Sequence, residues 1–573
     1  MKRLAHGTFV LLAIFALILS GCENTASTVD DPADLVLLNG KIVTVDEKET
    51  EAQALAVKGD KIVAVGTDEE IQKYVGPETE KIDLEGRLAI PGFNEGHGHF
   101  MGIGNAKMIL DLTTPKNWDE IVAMVGEAAK KAKPGEWITG RGWHQDKWDK
   151  KPEPAVEGLP VHDKLSEVSP DNPVILTHAS GHGSFANAKA MELANIDSST
   201  KDPAGGEILR DAEGNPTGFV RETAQGLVSS ANIGPATDEE RDANMREAAE
   251  LAAKEVLENG ITTFHDAGSS YGVVEFLRKL VDEGKMPVRL WMMIRDSNEN
   301  HEKNLASTRV IGHGNNMLTV RAIKLSIDGA LGSRGAWLLE PYSDAPELSG
   351  LNLIPIESAK KTAELAVAND YQLCIHAIGD RANREVLDIF EEAYKANEDK
   401  KDLRWRIEHA QHLHPDDIPR FGKLGVIASM QGVHCTSDGT WVPDRLGDKR
   451  SEEGAYVWQK LMQSGALVTN GTDAPVEDVS PIASYYSTVS RKLNDGSVFY
   501  PDQKMSRMEA LRSYTINVAK SGFEEEIKGS LEPGKLADIV VLSKDILTVP
   551  EDEIPSTEVL YTIVGGKIAY RKQ

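Results

Sequence analysis

Cysteine is nearly absent from this chain. Its 573 residues include three, Cys22, Cys374 and Cys435, which excludes a disulfide framework. The fold must rest on its own core or on metal. Basic charge is also short: 63 lysines and arginines stand against 90 aspartates and glutamates, a net charge of −27. No basic cluster interrupts that acidity. Such a surface repels phosphate backbones and anionic lipid, so nucleic-acid binding is excluded. Long apolar runs are missing as well. The N-terminal run, Phe9 to Leu19, is too short to span a bilayer comfortably.

That run follows Lys2 and Arg3 and is closed by small residues, the pattern of a secretory signal over residues 1–21. Leu19-Ser20-Gly21-Cys22 resembles a bacterial lipobox. The resemblance implies cleavage before Cys22, lipid attachment there, and a place in the cell envelope facing outside the cytoplasm. The small, polar residues 22–33 read as a tether.

What remains suits a soluble globular protein. Apolar residues make up 40% and charged residues 27%, a globular balance. Short β-like runs open the chain after the tether (Asp34–Thr44, Lys61–Gly66) and return near its end (Ala537–Leu542, Val559–Ile568). Residues 34–87 and 526–573 are therefore expected to build one small β-sandwich domain. Between them, over residues 88–525, lie eight more runs: Leu88–Ile90, Gly260–Phe264, Val288–Met292, Val320–Leu325, Gln372–Ile375, Arg404–Ile407, Gly425–Ser429 and Ala466–Thr469. Most are followed by a helical stretch. Strand alternating with helix eight times predicts an α/β fold, a (β/α)8 TIM-like barrel. The long interval between the first two runs, about residues 110–235, predicts an inserted, partly β subdomain at the catalytic mouth.

His97 and His99 stand two apart after the first run, and alternation can aim both imidazoles at one spot as metal ligands. Lys324, His376, His409 and Asp473 each end a different run. Barrel sites form at the C-terminal strand ends, from several strands at once, so these groups are expected to converge.

The ordered set resembles the amidohydrolase superfamily, and within it amidohydrolase family 3, which includes N-substituted formamide deformylases. The matching stretches are Pro91–His99, Lys324–Arg334, Ile375–Asp380, Arg406–His409, Gly471–Pro475 and the closing Gly529–Asp538. The resemblance implies that His97 and His99 hold one divalent metal and His376 and His409 a second. It implies that a carboxylated Lys324 bridges the two, and that Asp473 serves as general base and acid beside the metals. Zinc suits the nitrogen and oxygen donors, with iron or manganese as alternatives. The implied activity is hydrolysis of a carbon–nitrogen bond other than a peptide bond through a metal-bound hydroxide. A lactone, an ester or a cyclic imide is the alternative substrate bond, and a catalytically silent, lipid-anchored binding protein the alternative class. His182 and His434 are expected to contact substrate. Arg334 and Arg491 are expected to bind a substrate carboxylate, with a surface ion pair as the competing reading. The expected partners are a small molecule and, through Cys22, a membrane; a homo-oligomer is left open.

Overall fold

The computed structural model describes residues 31–232 and 237–573. The expected signal peptide, Cys22 and most of the tether lie outside these described residues.

Eight parallel strands form the barrel: β1 (Phe93–Gly98), β2 (Ile261–Ser269), β3 (Arg289–Ile294), β4 (Leu318–Ser326), β5 (Gln372–Ala377), β6 (Arg406–His409), β7 (Ile427–Gln431) and β8 (Val468–Gly471). They pair in sequence order from β1 to β8. They are buried on both faces, and β3 (Arg289–Ile294) reads as a near-continuous apolar run. The ring nearly closes just beyond β8, where Asp473 N–H donates to the His97 carbonyl at 2.8 Å and His99 N–H donates to that of Ala474 at 2.7 Å. Register keeps the strand ends level: Ser326 lies opposite His376, and Ala377 opposite His409. The helices between strands cover the outside. That of Asp380–Ala396 buries Val386, Leu387, Ile389 and Phe390, the i, i+1, i+3, i+4 stripe of one helix face.

The first expected barrel strand needs correction. Leu88–Pro91 is a strand, but it pairs with Lys41–Val43 and with Ile539–Leu542 in a six-stranded sheet built from both chain ends. Gly92 breaks the run, and the chain re-enters the barrel at Phe93. The apolar pattern explains the misreading: Leu88–Pro91 is apolar throughout, whereas Phe93–Gly98 carries Asn94, Glu95 and His97 and does not read as an apolar run. A four-stranded sheet over 35–83 packs against the six-stranded one, and Leu37, Ile42, Val57, Ala89, Ile539 and Val541 fill the space between them. The insertion between β1 and β2 holds its own six-stranded sheet, spanning Leu110–Asp111 to Pro216–Glu222, with a separate core around Trp118, Trp143 and Phe185. No helix among the described residues is long and apolar enough to cross a membrane.

One buried ion pair couples the chain-end sheets to the barrel. Arg289, at the start of β3, donates to both Asp538 oxygens at 2.7 and 3.0 Å. Gly565 N–H donates to the same carboxylate at 2.8 Å. Asp538→Ala strands that guanidinium in the interior. It is expected to lower stability by about 3–5 kcal/mol, measured as a shift of the urea midpoint; an unchanged midpoint would show that the pair couples nothing.

Candidate metal centre

Three strand ends meet at one point. His97 is the penultimate residue of β1, His409 the last of β6, and Asp473 follows β8. All three are buried, and their ligand atoms lie within 4.8 Å of one another. His99 Nε2 is 3.1 Å from Asp473 Oδ1 and His97 Nε2 is 3.5 Å from the same oxygen. Lys324 Nζ, on β4, is 3.5 Å from His97 Nε2. The His376 ring, on β5, is 4.5 Å from that of His409. The six residues expected from the sequence therefore converge, although the tight triad takes one histidine from each of the two expected pairs. His409 and Asp473 have φ of 75° and 58°. Side chains with a Cβ rarely occupy this left-handed region, and it clusters at functional sites.

The tautomers can be read from the acceptors. His97 Nδ1 meets the Glu408 carboxylate, and His409 Nδ1 meets Gln431 Oε1 at 2.7 Å. Both partners can only accept, so each Nδ1 carries the proton and each Nε2 presents a lone pair. His376 Nε2 is buried without a hydrogen bond. Unprotonated nitrogens gathered beside a carboxylate fit a divalent cation of the zinc type. The ionisation states agree. Burial, with Lys324 nearby, lowers the His97 pKa to about 4, and burial holds His376 and His409 well below the usual range. Burial lowers Lys324 to about 8. Burial also opposes ionisation of Asp473, but His99 and the neighbouring imidazoles hold it well below the carboxylate range. At neutral pH the centre thus offers neutral imidazoles and an ionised carboxylate, the forms that bind metal.

Two lobes of cavity open on this centre and share His182, His376, His409 and Asp473. One is walled by Ala330, Leu331, Ile378 and Trp441. The other is polar, with Arg141, Glu222 and Arg295.

The sequence profile of amidohydrolase family 3 matches residues 80–570. The chain belongs to the amidohydrolase family. It is 34% identical over 557 residues to Protein LONG AFTER FAR-RED 3 of Arabidopsis thaliana, covering 94% of this chain and 92% of that one. It is 28% identical to the N-substituted formamide deformylase of Arthrobacter pascens, with 94% and 98% covered. An uncharacterized metal-dependent hydrolase from Pyrococcus horikoshii superposes with a TM-score of 0.73 at 27% identity, covering 90% of this chain and 99% of that one.

In this amidohydrolase, His182 and His434 line the cavity. His182 Nδ1 is 2.8 Å from Glu222, and His434 Nε2 is 3.9 Å from Asp473. The two arginines expected at the substrate do not reach it. Arg334 pairs with Asp344 at 2.9 Å. Arg491 is fully buried; it donates to the carbonyls of Phe499 at 2.6 Å and Tyr456 at 2.9 Å and lies over the Trp458 ring. Cys374 is a buried core thiol, its pKa pushed up by burial. The sequence reading assigned no role to Glu408, Gln431, Glu222, Arg141 or Arg295. Arg295 directly follows β3, so the strand-end rule that selected Lys324 could have found it.

Gln431→Leu removes the acceptor that orients His409 while keeping the volume similar. It is expected to weaken zinc binding by about 10–100-fold, measured by competition against a chelator; unchanged affinity would separate His409 orientation from metal binding.

Proposed function

We propose that this hydrolase cleaves a carbon–nitrogen bond other than a peptide bond, with Asp473 moving the proton. The observation that carries the reading is the meeting of His97, His409 and Asp473 where both cavity lobes open. His97, His99, His376, His409, Asp473 and Lys324 would hold one or two divalent ions, zinc first with iron or manganese as alternatives, which when bound polarise a carbonyl and acidify water.

The rest follows from the chain's own groups. Lys324, with its pKa lowered to about 8, is neutral in about a tenth of molecules at pH 7. Its nitrogen can add to carbon dioxide and lose a proton, giving a carbamate. The carbamate replaces an ammonium that would repel cations with oxygens that attract them. Asp473, ionised in place, accepts a proton from the attacking water and returns it to the departing nitrogen. His434, 3.9 Å from Asp473 Oδ2, lines the cavity beside that carboxylate. The likeness to a formamide deformylase supports nitrogen as the leaving atom.

Metal-loaded protein is expected to hydrolyse members of a panel of N-acyl amines in preference to matched esters, lactones and cyclic imides. Asp473→Asn is expected to retain metal and lose about 10²–10⁴-fold in kcat, with metal content followed by elemental analysis. Full metal occupancy with no turnover across the panel would overturn the hydrolase reading in favour of binding alone. Undiminished kcat in the variant would remove Asp473 as the base.

A further inference from the structure

In so acidic a chain arginines usually stand beside carboxylates, as Arg246, Arg289, Arg404, Arg420 and Arg445 do. Arg295 and Arg141, in the polar lobe, do not. The Arg295 guanidinium donates to Ser326 Oγ at 2.8 Å, and that of Arg141 to the Ala179 carbonyl at 2.9 Å. Neither has an ion-pairing carboxylate among the described residues. Arg295 is solvent-exposed although it lines the lobe, and most of its five N–H donors are left for the cavity. Arg141 is half-buried, and its Nε is buried without a partner. Glu222 Oε2, in this lobe, lies 2.8 Å from His182 Nδ1, and its Oε1 is buried without a hydrogen bond.

The position of Arg295 is built. Its N–H donates to the Ser269 carbonyl at the end of β2 at 2.9 Å, and its side chain reaches Ser326 at the end of β4. Gly268 lies between the two stems. A Cβ there, at a φ of +120° that already disfavours one, would sit 3.1 Å from Lys324 Cγ and 3.2 Å from Arg295 Cβ. The missing side chain lets the guanidinium stem lie next to that of Lys324, beside the reacting centre.

We propose that the substrate carries a carboxylate close to the scissile bond, that Arg295 binds it with Arg141 in support, and that the apolar lobe takes an alkyl or aryl group on the other side of that bond. This rests on the hydrolase reading for where the bond lies. A planar guanidinium fork matches a carboxylate bidentately. A neutral amide would bury part of that charge without a partner, which costs affinity. The two lobes, one carrying the arginines and one walled by apolar side chains, both reach Asp473, as an amide with one acidic and one apolar end requires.

The test uses the zinc-loaded protein and two uncleavable probes: the ketone isosteres of N-hexanoylglycine and of its carboxamide, with methylene in place of the amide nitrogen. Calorimetric titration is expected to show the acid binding at least about tenfold tighter. Arg295→Met should bring the acid-to-amide ratio close to one, and Arg295→Lys should keep part of the preference. Equal affinities in the wild type would overturn the proposal. So would no binding of either probe, or a ratio that neither Arg295→Met nor Arg141→Met alters. Turnover of the cleavable parents separates the two readings. Preference for the acid in binding with no turnover of either parent keeps the anion subsite and overturns the hydrolase. Turnover of both parents at equal kcat/KM keeps the hydrolase and overturns the subsite.

Discussion

The centre hangs on a guanidinium buried in the middle of the barrel. Arg406, on β6, is fully enclosed. Its Nε meets Glu408 Oε1 at 2.7 Å. Its Nη2 donates to the Gly96 carbonyl and to Ser429 Oγ, each at 2.7 Å. Its Nη1 lies 3.1 Å from His265 Nδ1. One side chain thereby ties β1, β2, β6 and β7 together. A buried charge is costly unless it is paired; here Glu408 pairs with it and both terminal nitrogens find acceptors, while Nε faces Glu408 Oε1 as an ion pair without an aligned hydrogen bond. The carboxylate that pairs with it also fixes His97: Glu408 Oε2 accepts the hydrogen bond from Nδ1–H, and Nε2 is left facing the cavity. The orientation of a candidate metal ligand is thus set one layer below the ligand itself.

The arrangement also shows how a short strand can serve two purposes. Arg406 and Glu408 are two apart on β6, so alternation puts both inside the barrel. His409, next in line, would point outward on a continued strand. Instead the chain leaves extended geometry there, with φ of 75° at His409 and 44° at Ala410, and the imidazole turns into the mouth. Asp473 does the same beyond β8. Its N–H bonds to the His97 carbonyl, so the hydrogen bonds that nearly close the barrel also bring its carboxylate beside the histidine.

Much of this was legible in the sequence. Seven barrel strands announce themselves as apolar runs, and Lys324, His376, His409 and Asp473 each close one, which is where barrel sites form. Leu88–Pro91 was misplaced because an apolar run does not reveal which of two adjacent sheets it joins. Glu408 was in view in the Arg406–His409 stretch, but its role depends on His97, which is remote in sequence. The arginines failed in both directions. Arg491 looked available, yet its backbone at φ 51° follows a helix and turns the side chain inward to bond carbonyls. Arg295 was passed over because the β3 run was ended two residues early, at Met292, and the reactive residue just past the true end was missed. Side-chain type is written in the sequence; side-chain direction depends on local backbone turns and on partners supplied by distant segments.

Chemistry and selectivity accordingly come from different parts of the chain. The barrel strands bring the candidate ligands and the candidate base, and they are buried and rigidly bonded. The insertion brings Arg141, His182 and Glu222 to the rim, on a sheet with a core of its own, so its residues can change without disturbing the ligands below. The net charge of −27 does not argue against an anionic substrate in such a layout. Surface charge is screened over about 8–10 Å at ordinary ionic strength, and it acts mainly on approach. Inside the recess the nearest groups dominate, because water is fewer and the effective dielectric lower. There the two guanidiniums without carboxylate partners outweigh a distant acidic surface, and Glu222 is already bonded to His182. The sign of the whole molecule and the sign of its polar lobe are set by different residues, and the lobe is what a bound substrate meets.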